Sequence, residues 1–307
     1  MTLTSAPPSR AKPGAADSPP IGRWYDVGGR RLALHRAGRD GPTVVFLPGA
    51  GLIGLDFLNI HEKVSRLTTS VIYDRAGTGW SDVVRLPRSA AEVADELHVL
   101  LTAAQVPAPY LLVGHSLGGA YARRFAQRHP DEVTGMLLLD PAHEAYAAMP
   151  PQPLMAQLKM GLAVLPALIN ARRFYRPLFE RAYAAWPDGL RETLVEYHLR
   201  AWRRTLQETA NLNSEVLPEI AAGGAMPDAP TIVLTAMGID PFMAPFMPAA
   251  YLRDLNERKA GFYSAFAAAA PRGENRLIEG AGHSTLHTDR PDVVVEAIGD
   301  LIDRAGG

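Results

Sequence analysis

Gly114-His115-Ser116-Leu117-Gly118 follows the apolar run Tyr110-Leu111-Leu112-Val113 and precedes a helix-like stretch opening with Gly118-Gly119-Ala120. No other feature narrows the possible folds of this chain as much. A serine flanked by glycines at a strand-to-helix turn tolerates the strained backbone that lifts its hydroxyl clear of a sheet. A bulky residue at either flank would collide with the neighbouring strand or helix. The pentapeptide alone is a modest signal; the strand before it and the small residues after it supply the context such a motif needs.

Periodicity gives eight strand candidates: Trp24–Val27, Leu32–Ala37, Thr43–Leu47, Ser70–Asp74, Tyr110–Val113, Met136–Asp140, Thr231–Ala236 and Arg276–Glu279. The middle ones are short, continuously apolar and rich in valine, isoleucine and leucine, as strands buried on both faces of a parallel sheet are. The first two alternate more and predict an antiparallel edge hairpin turning at Gly28-Gly29. Ser89-Ala90-Ala91-Glu92 is a capping box that opens a helix to about Ala104. Further helices are predicted after Ser116, ending near His129-Pro130, and from Pro291 to about Arg304. Alternating strands and helices imply an α/β fold, a mostly parallel eight-stranded sheet with helices on both faces.

Between Asp140 and Thr231 lie roughly ninety residues with helical character, too long for a loop, which predicts an inserted helical cap. Its helical stretches are Leu154–Ile169, Phe174–Trp186 and Leu190–Leu206. The domain expectation is a disordered tail over 1–22, a core over 23–141 and 228–307, and a cap over 142–227. Met155, Met160, Phe174, Tyr175, Phe179, Tyr183, Trp186 and Trp202 fill the cap, in part as its own core and in part facing an apolar cleft.

The 307 residues contain no cysteine, so any nucleophile is oxygen- or nitrogen-based and disulfides and thiolate metal sites are excluded. A net charge of −1 gives no reason to expect nucleic acid or an acidic membrane surface as partner. Arginine greatly outnumbers lysine, read here as background. The proline-, alanine- and serine-rich start lacks the apolar core of a secretory signal, and no segment suits a transmembrane helix. The expectation is a cytoplasmic protein without membrane insertion.

A serine hydroxyl needs a base. Of nine histidines, His283 in Gly280-Ala281-Gly282-His283 stands just past the last strand, where a glycine-flanked loop can project imidazole over the carboxyl edge of the sheet. His287, four residues on, is the local competitor and reads better as a helix or loop residue; His115 adjoins the serine, but its side chain leaves the turn in another direction. A tetrahedral intermediate needs backbone N–H donors, expected from Leu117 and from Ala50 in the loop Leu47-Pro48-Gly49-Ala50-Gly51. The acid is ambiguous. Asp140 ends the sixth strand and Asp240 follows the seventh; either gives the order serine, aspartate, histidine. An acid at a buried strand end needs a reason to be there, which leans slightly to Asp140. Gly49, His115, Phe242 and Met243 are the candidate substrate-binding residues. No histidine–carboxylate cluster shows ligand spacing, so no metal and no cofactor is expected.

On the serine turn, the glycine–histidine loop and Tyr73-Asp74-Arg75-Ala76-Gly77-Thr78-Gly79-Trp80-Ser81-Asp82 after the fourth strand, the chain resembles the α/β-hydrolase fold superfamily from about Trp24 onward. The resemblance implies a serine-nucleophile, capped member of the esterase or proline iminopeptidase-like branch. It gives Ser116, His283, Ala50 and Leu117 the roles argued above. The superfamily most often places the acid after the seventh strand, which suits Asp240; some members place it after the sixth, which suits Asp140, and both stay open. Many members begin the oxyanion loop with His-Gly, where this chain has Pro48-Gly49. Members with an aspartate nucleophile, such as haloalkane dehalogenases and soluble epoxide hydrolases, are disfavoured by Ser116. The Tyr73–Asp82 segment is expected to shape the fold and the cleft entrance.

The function these readings predict is cofactor-independent hydrolysis of an ester or lactone of a hydrophobic small molecule through a Ser-His-Asp triad and an acyl-enzyme. One alternative is an aminopeptidase or amidase of proline iminopeptidase type, with Glu180, Glu192, Glu196 or Glu215 binding the free amine. Perhydrolysis and carbon–carbon bond hydrolysis use the same triad. A weakly catalytic small-molecule receptor is the alternative from another class, separable by turnover rate.

Overall fold

The computed structural model describes residues 18–148, 171–270 and 272–306. One eight-stranded sheet organises them: β1 (Arg23–Val27), β2 (Arg30–Ala37), β3 (Thr43–Leu47), β4 (Ser70–Tyr73), β5 (Tyr110–His115), β6 (Val133–Leu139), β7 (Thr231–Ala236) and β8 (Gly273–Ile278). The strand order is β1-β2-β4-β3-β5-β6-β7-β8. The β1–β2 and β2–β4 pairs are antiparallel and the rest parallel. The edge hairpin turns at Gly28 and Gly29, both with positive φ.

The continuous apolar strands divide their side chains by parity. On β3, Val45 and Leu47 join one core layer while Val44 and Phe46 join the other. Leu112 of β5 and Met136 and Leu138 of β6 join the first layer; Leu111, Val113, Leu137 and Leu139 join the second. Such a strand needs cover on both faces. The first layer is closed by α2 (Ala90–Ala103), α3 (Leu117–Arg128) and a later helix, the second by α1 (Leu58–Val64) and the last helix. Ser89 caps α2 as its sequence predicts: its Oγ accepts the Glu92 N–H at 3.1 Å and Glu92 accepts the Ser89 N–H at 2.9 Å.

Between β6 and β7 the described elements are all helical. They include α4 (Ala171–Ala182), α5 (Asp188–Glu208) and α6 (Leu217–Ala222). The expected helix Leu154–Ile169, with Met155 and Met160, lies outside the described residues, as does most of the predicted tail. Tyr183, Trp186, Leu194 and Val195 pack on Ile53, Leu55 and Leu58 of the core. Trp186 donates its indole N–H to the Leu55 carbonyl at 2.8 Å. Buried Asp56 accepts from Tyr183 and is 2.9 Å from His198 Nε2.

After β7 runs α7 (Ala249–Ala269), which the periodicity reading does not anticipate. Its buried stripe is Leu252, Asn256, Lys259, Tyr263 and Ala267, and two polar members interrupt the apolar spacing that would reveal it. α8 (Leu286–Asp289) and α9 (Pro291–Gly306) complete the chain. β8 begins at Gly273, earlier than predicted, because this half-exposed edge strand starts on the polar residues Glu274 and Asn275. Among the described residues no helix is long and apolar enough to cross a membrane.

Candidate active site

Ser116 sits between β5 and α3 with φ +51° and ψ −120°, a backbone that side chains other than glycine rarely adopt. Its flanking glycines are sterically required. A Cβ on Gly118 would lie 2.0 Å from the Leu47 carbonyl oxygen, and one on Gly114 2.6 Å from that of Gly118. The turn therefore wedges between β3 and its own helix, with the Ser116 hydroxyl at the carboxyl edge of the sheet.

His283 follows β8 and Gly282, and its Nε2 lies 3.0 Å from Ser116 Oγ. Its Nδ1 lies 2.6 Å from Asp140 Oδ2. Asp140 stands one residue past β6 with a positive φ of 44°, fully buried. Burial would push its carboxyl up, but the hydrogen bond from His283 and the charge of Lys259 outweigh it and hold it at about 2. Asp140 is thus an ionised acceptor.

The other candidate acid has a different set of partners. Asp240 accepts the N–H groups of Phe242 at 2.8 Å, Met243 at 3.1 Å and Ser284. The last bond ties the β7–α7 segment to the residue after His283. Asp240 therefore braces the histidine loop from behind, while Asp140 meets the imidazole.

The oxyanion candidates lie on either side of the serine. Leu117 is the first residue of α3, so its N–H is one of the helix's unbonded first-turn donors and stands at the positive end of the dipole. Ala50 lies in the loop after β3, where Gly49 approaches so closely that a Cβ there would be 3.2 Å from Ser116 Cβ. Arg75, fully buried, donates to the carbonyls of Pro48 and of Gly49, the latter at 2.8 Å. Glu208 of α5 pairs with Arg75 at 2.9 Å and accepts the Gly51 N–H at 2.7 Å.

His115, read from the sequence as a substrate contact, lies beneath the turn instead. It is 3% exposed, with Nε2 2.9 Å from the His283 carbonyl, so it supports the histidine loop from below. Burial pushes its imidazole well below the ordinary value, leaving it neutral and its Nε2–H the donor in that bond. Phe242 packs its ring 5.0 Å from Phe179 and 6.4 Å from Tyr175 of α4, while Phe246 lies 5.5 Å from Phe174. Phe242 and Met243 remain partly exposed.

Two groups escape the sequence reading. Lys259 and the Arg75–Glu208 pair each reach the site from residues distant in sequence; Lys259 is hidden as a polar member of the buried stripe of α7, and Arg75, in the loop after β4, shows only as part of the Tyr73–Asp82 segment. A histidine–carboxylate cluster also forms away from the serine: His98, His129 and Glu132 bring ligand atoms within 4.8 Å of one another. The two imidazoles stack at 4.1 Å with an 8° interplanar angle, so their ring planes do not meet within ligand distance of either nitrogen. An ion could not meet both lone pairs without a ring turning.

The chain matches the Alpha/beta hydrolase family over residues 44–297 and belongs to it. Protein YqjL of Bacillus subtilis (strain 168) is 38% identical over 108 residues, 35% of this chain and 43% of that protein. The pimeloyl-[acyl-carrier protein] methyl ester esterase of Chromobacterium violaceum is 41% identical over 100 residues, 32% of this chain and 37% of that enzyme. The chain thus matches less than half the length of these curated relatives. Among solved structures, Est816, described as an N-acyl homoserine lactone degrading enzyme, superposes with a TM-score of 0.61 at 21% identity, covering 90% of this chain and 99% of Est816.

Proposed function

We infer that this protein is a serine hydrolase acting on esters or lactones of hydrophobic small molecules. The observation that carries the reading is the hydrogen-bonded line from Ser116 Oγ through both nitrogens of His283 to ionised Asp140. His283 Nε2 takes the hydroxyl proton as Oγ adds to the carbonyl carbon. Asp140 accepts from Nδ1–H, fixes the tautomer and stabilises the imidazolium. The Ala50 and Leu117 N–H groups bind the oxyanion. Collapse of the intermediate passes the proton to the leaving alcohol and leaves an acyl-serine. Water, deprotonated by His283, then releases the acid and restores Ser116.

The rings of Phe174, Tyr175, Phe179, Phe242 and Phe246, gathered between α4 and the β7–α7 segment, support an apolar acyl or alcohol group beneath a helical cap. The esterase among the partial relatives agrees with ester chemistry. An amine-binding aminopeptidase site is less well supported. Glu196 is engaged by Arg172, Arg176 and Arg200, and Glu180 and Glu192 pair with Arg176. Glu215 accepts from Asn211.

The test is steady-state hydrolysis of p-nitrophenyl esters of increasing acyl length by wild type, Ser116→Ala and His283→Ala. Loss of kcat on the order of 10⁴–10⁶ in both variants is expected. Turnover retained by Ser116→Ala, or aminoacyl amides preferred over esters, would overturn the reading.

A further inference from the structure

Lys259 reaches from α7 to the same carboxylate as His283. Its Nζ lies 2.7 Å from Asp140 Oδ2, 3.0 Å from Oδ1 and 3.2 Å from the Ala236 carbonyl oxygen. The ammonium has three protons and finds three acceptors, two of them on Asp140. The lysine side chain is 4% exposed and that of Asp140 is fully buried. Oδ2 is shared, because it also accepts from His283 Nδ1. The chain uses 27 arginines and four lysines, and it places one of the four here. A compact ammonium fits this three-acceptor corner, which a planar guanidinium would overfill.

The placement has a chemical consequence with a definite sign. A carboxylate raises the proton affinity of the imidazole beside it, and a cation lowers it. Here the carboxylate touches the imidazole directly and the ammonium stands on the same carboxylate oxygen. The remaining groups around His283 are less able to change its charge balance. Burial keeps His115 and His287 neutral, and the phenols of Tyr146 and Tyr263 near Asp140 are pushed up and stay protonated. Asp240 faces the Ser284 N–H, and Asp56 and His198 lie beyond His287.

Resting on the serine-hydrolase reading above, we propose that Lys259 is a positioning and charge-balancing residue of the triad. It holds Asp140 in place independently of His283, and its charge opposes the arrival of a second cation on the imidazole. A purely structural lysine would support folding and leave the pH dependence of the chemistry alone.

The experiment is the pH profile of kcat/KM on a p-nitrophenyl ester for wild type, Lys259→Gln and Lys259→Met, alongside fluorophosphonate labelling of wild type and Ser116→Ala. Glutamine keeps a donor toward Asp140 and removes the charge. Both variants are expected to move the midpoint of the acid limb upward by about one pH unit or more. A uniform fall in rate with an unmoved midpoint overturns the proposal. If neither single variant folds, Asp140→Asn with and without Lys259→Met decides. Asp140→Asn leaves an unopposed ammonium beside the imidazole, so removing it should recover about tenfold or more in kcat; no recovery overturns the proposal. Absence of Ser116-dependent labelling sinks the hydrolase reading itself. Labelling with an unmoved midpoint sinks only the role of Lys259.

Discussion

Arg75 and Glu208 form a buried ion pair that sets the direction of the Ala50 N–H. Arg75 Nη2 holds the Gly49 carbonyl at 2.8 Å, and Glu208 holds both Arg75 and the Gly51 N–H. The Gly49–Ala50 peptide is planar and trans, so its N–H points opposite to its carbonyl. Fixing the carbonyl on Arg75 therefore turns the Ala50 N–H away from Arg75. Glu208 is the last residue of α5, so the β6–β7 insertion and the loop after β3 share one anchor.

Removing that anchor's charge should act on kcat more than on KM, because an oxyanion donor matters chiefly in the transition state. Glu208→Gln keeps the shape and leaves buried Arg75 unpaired. The expected loss is on the order of 10- to 100-fold in kcat, with about 3–5 kcal/mol of stability. Arg75→Lys should fare no better, since one ammonium cannot span Pro48, Gly49 and Glu208 together. Kinetics on the preferred ester and urea denaturation of each variant check this; a loss confined to KM would contradict it.

The two aspartates should separate cleanly by kinetics. Asp140→Asn removes the partner of His283 Nδ1 and is expected to lower kcat by about 10⁴. Asp240→Asn weakens the brace on Ser284, Phe242 and Met243 without touching the imidazole. Its loss should stay on the order of 10- to 100-fold, with a lower Tm. Equal losses in the two variants would mean that the imidazole changes partners during the reaction.

The difference between these aspartates also marks how far the sequence was readable. The boundaries of β3 and β7, the Ser89 cap and the serine turn are local. Each is written in a few adjacent residues whose pattern has one physical solution. Asp140 directly follows β6 and Asp240 lies four residues past β7, and what separates them is the path of the His283 loop. That path is set by the Ser284 N–H on Asp240 and the His283 carbonyl on His115, bonds between residues far apart in the chain. α7 was hidden for a related reason. Asn256 and Lys259 occupy its inward stripe because they bond the carbonyls of Met237, Gly238 and Ala236, a need invisible until β7 lies beside it.

The glycines of the turn should tolerate no side chain. A Cβ at Gly118 would sit 2.0 Å from a backbone oxygen of β3, which cannot yield without breaking the sheet. Gly118→Ala is expected to abolish soluble expression or lower Tm by more than 10 °C, given that roughly 1 kcal/mol shifts Tm by about 2–4 °C in a chain of this size. Gly299→Ala, where nothing lies within 4 Å of the added carbon, is the control and should change Tm little. Near-normal melting of Gly118→Ala would mean that β3 and α3 can part.

Acid should unfold this protein over a window set by its buried histidines. Burial lowers His61 to about 3 and His287 to about 4, and takes His115 well below the ordinary value. In the unfolded chain all three titrate near about 6.5. Between that value and about 4 the unfolded state therefore binds three protons that the folded state refuses. Stability must fall as pH falls, by about 1.4 kcal/mol per pH unit for each proton. Asp74 works the other way. Burial raises it to about 6, so below that pH the folded state keeps a proton that the unfolded chain sheds down to about 4. These four groups together contribute two protons, about 3 kcal/mol per pH unit between pH 6 and 4, and burial lowers His35, His129 and His143 in the direction that steepens the fall. Neither ring nitrogen of His287 has a hydrogen-bond partner among the described residues, so His287→Gln should remove one proton from that slope. Urea denaturation across this pH range reads it directly, and a slope unchanged in His287→Gln would show that His287 protonates in the folded state.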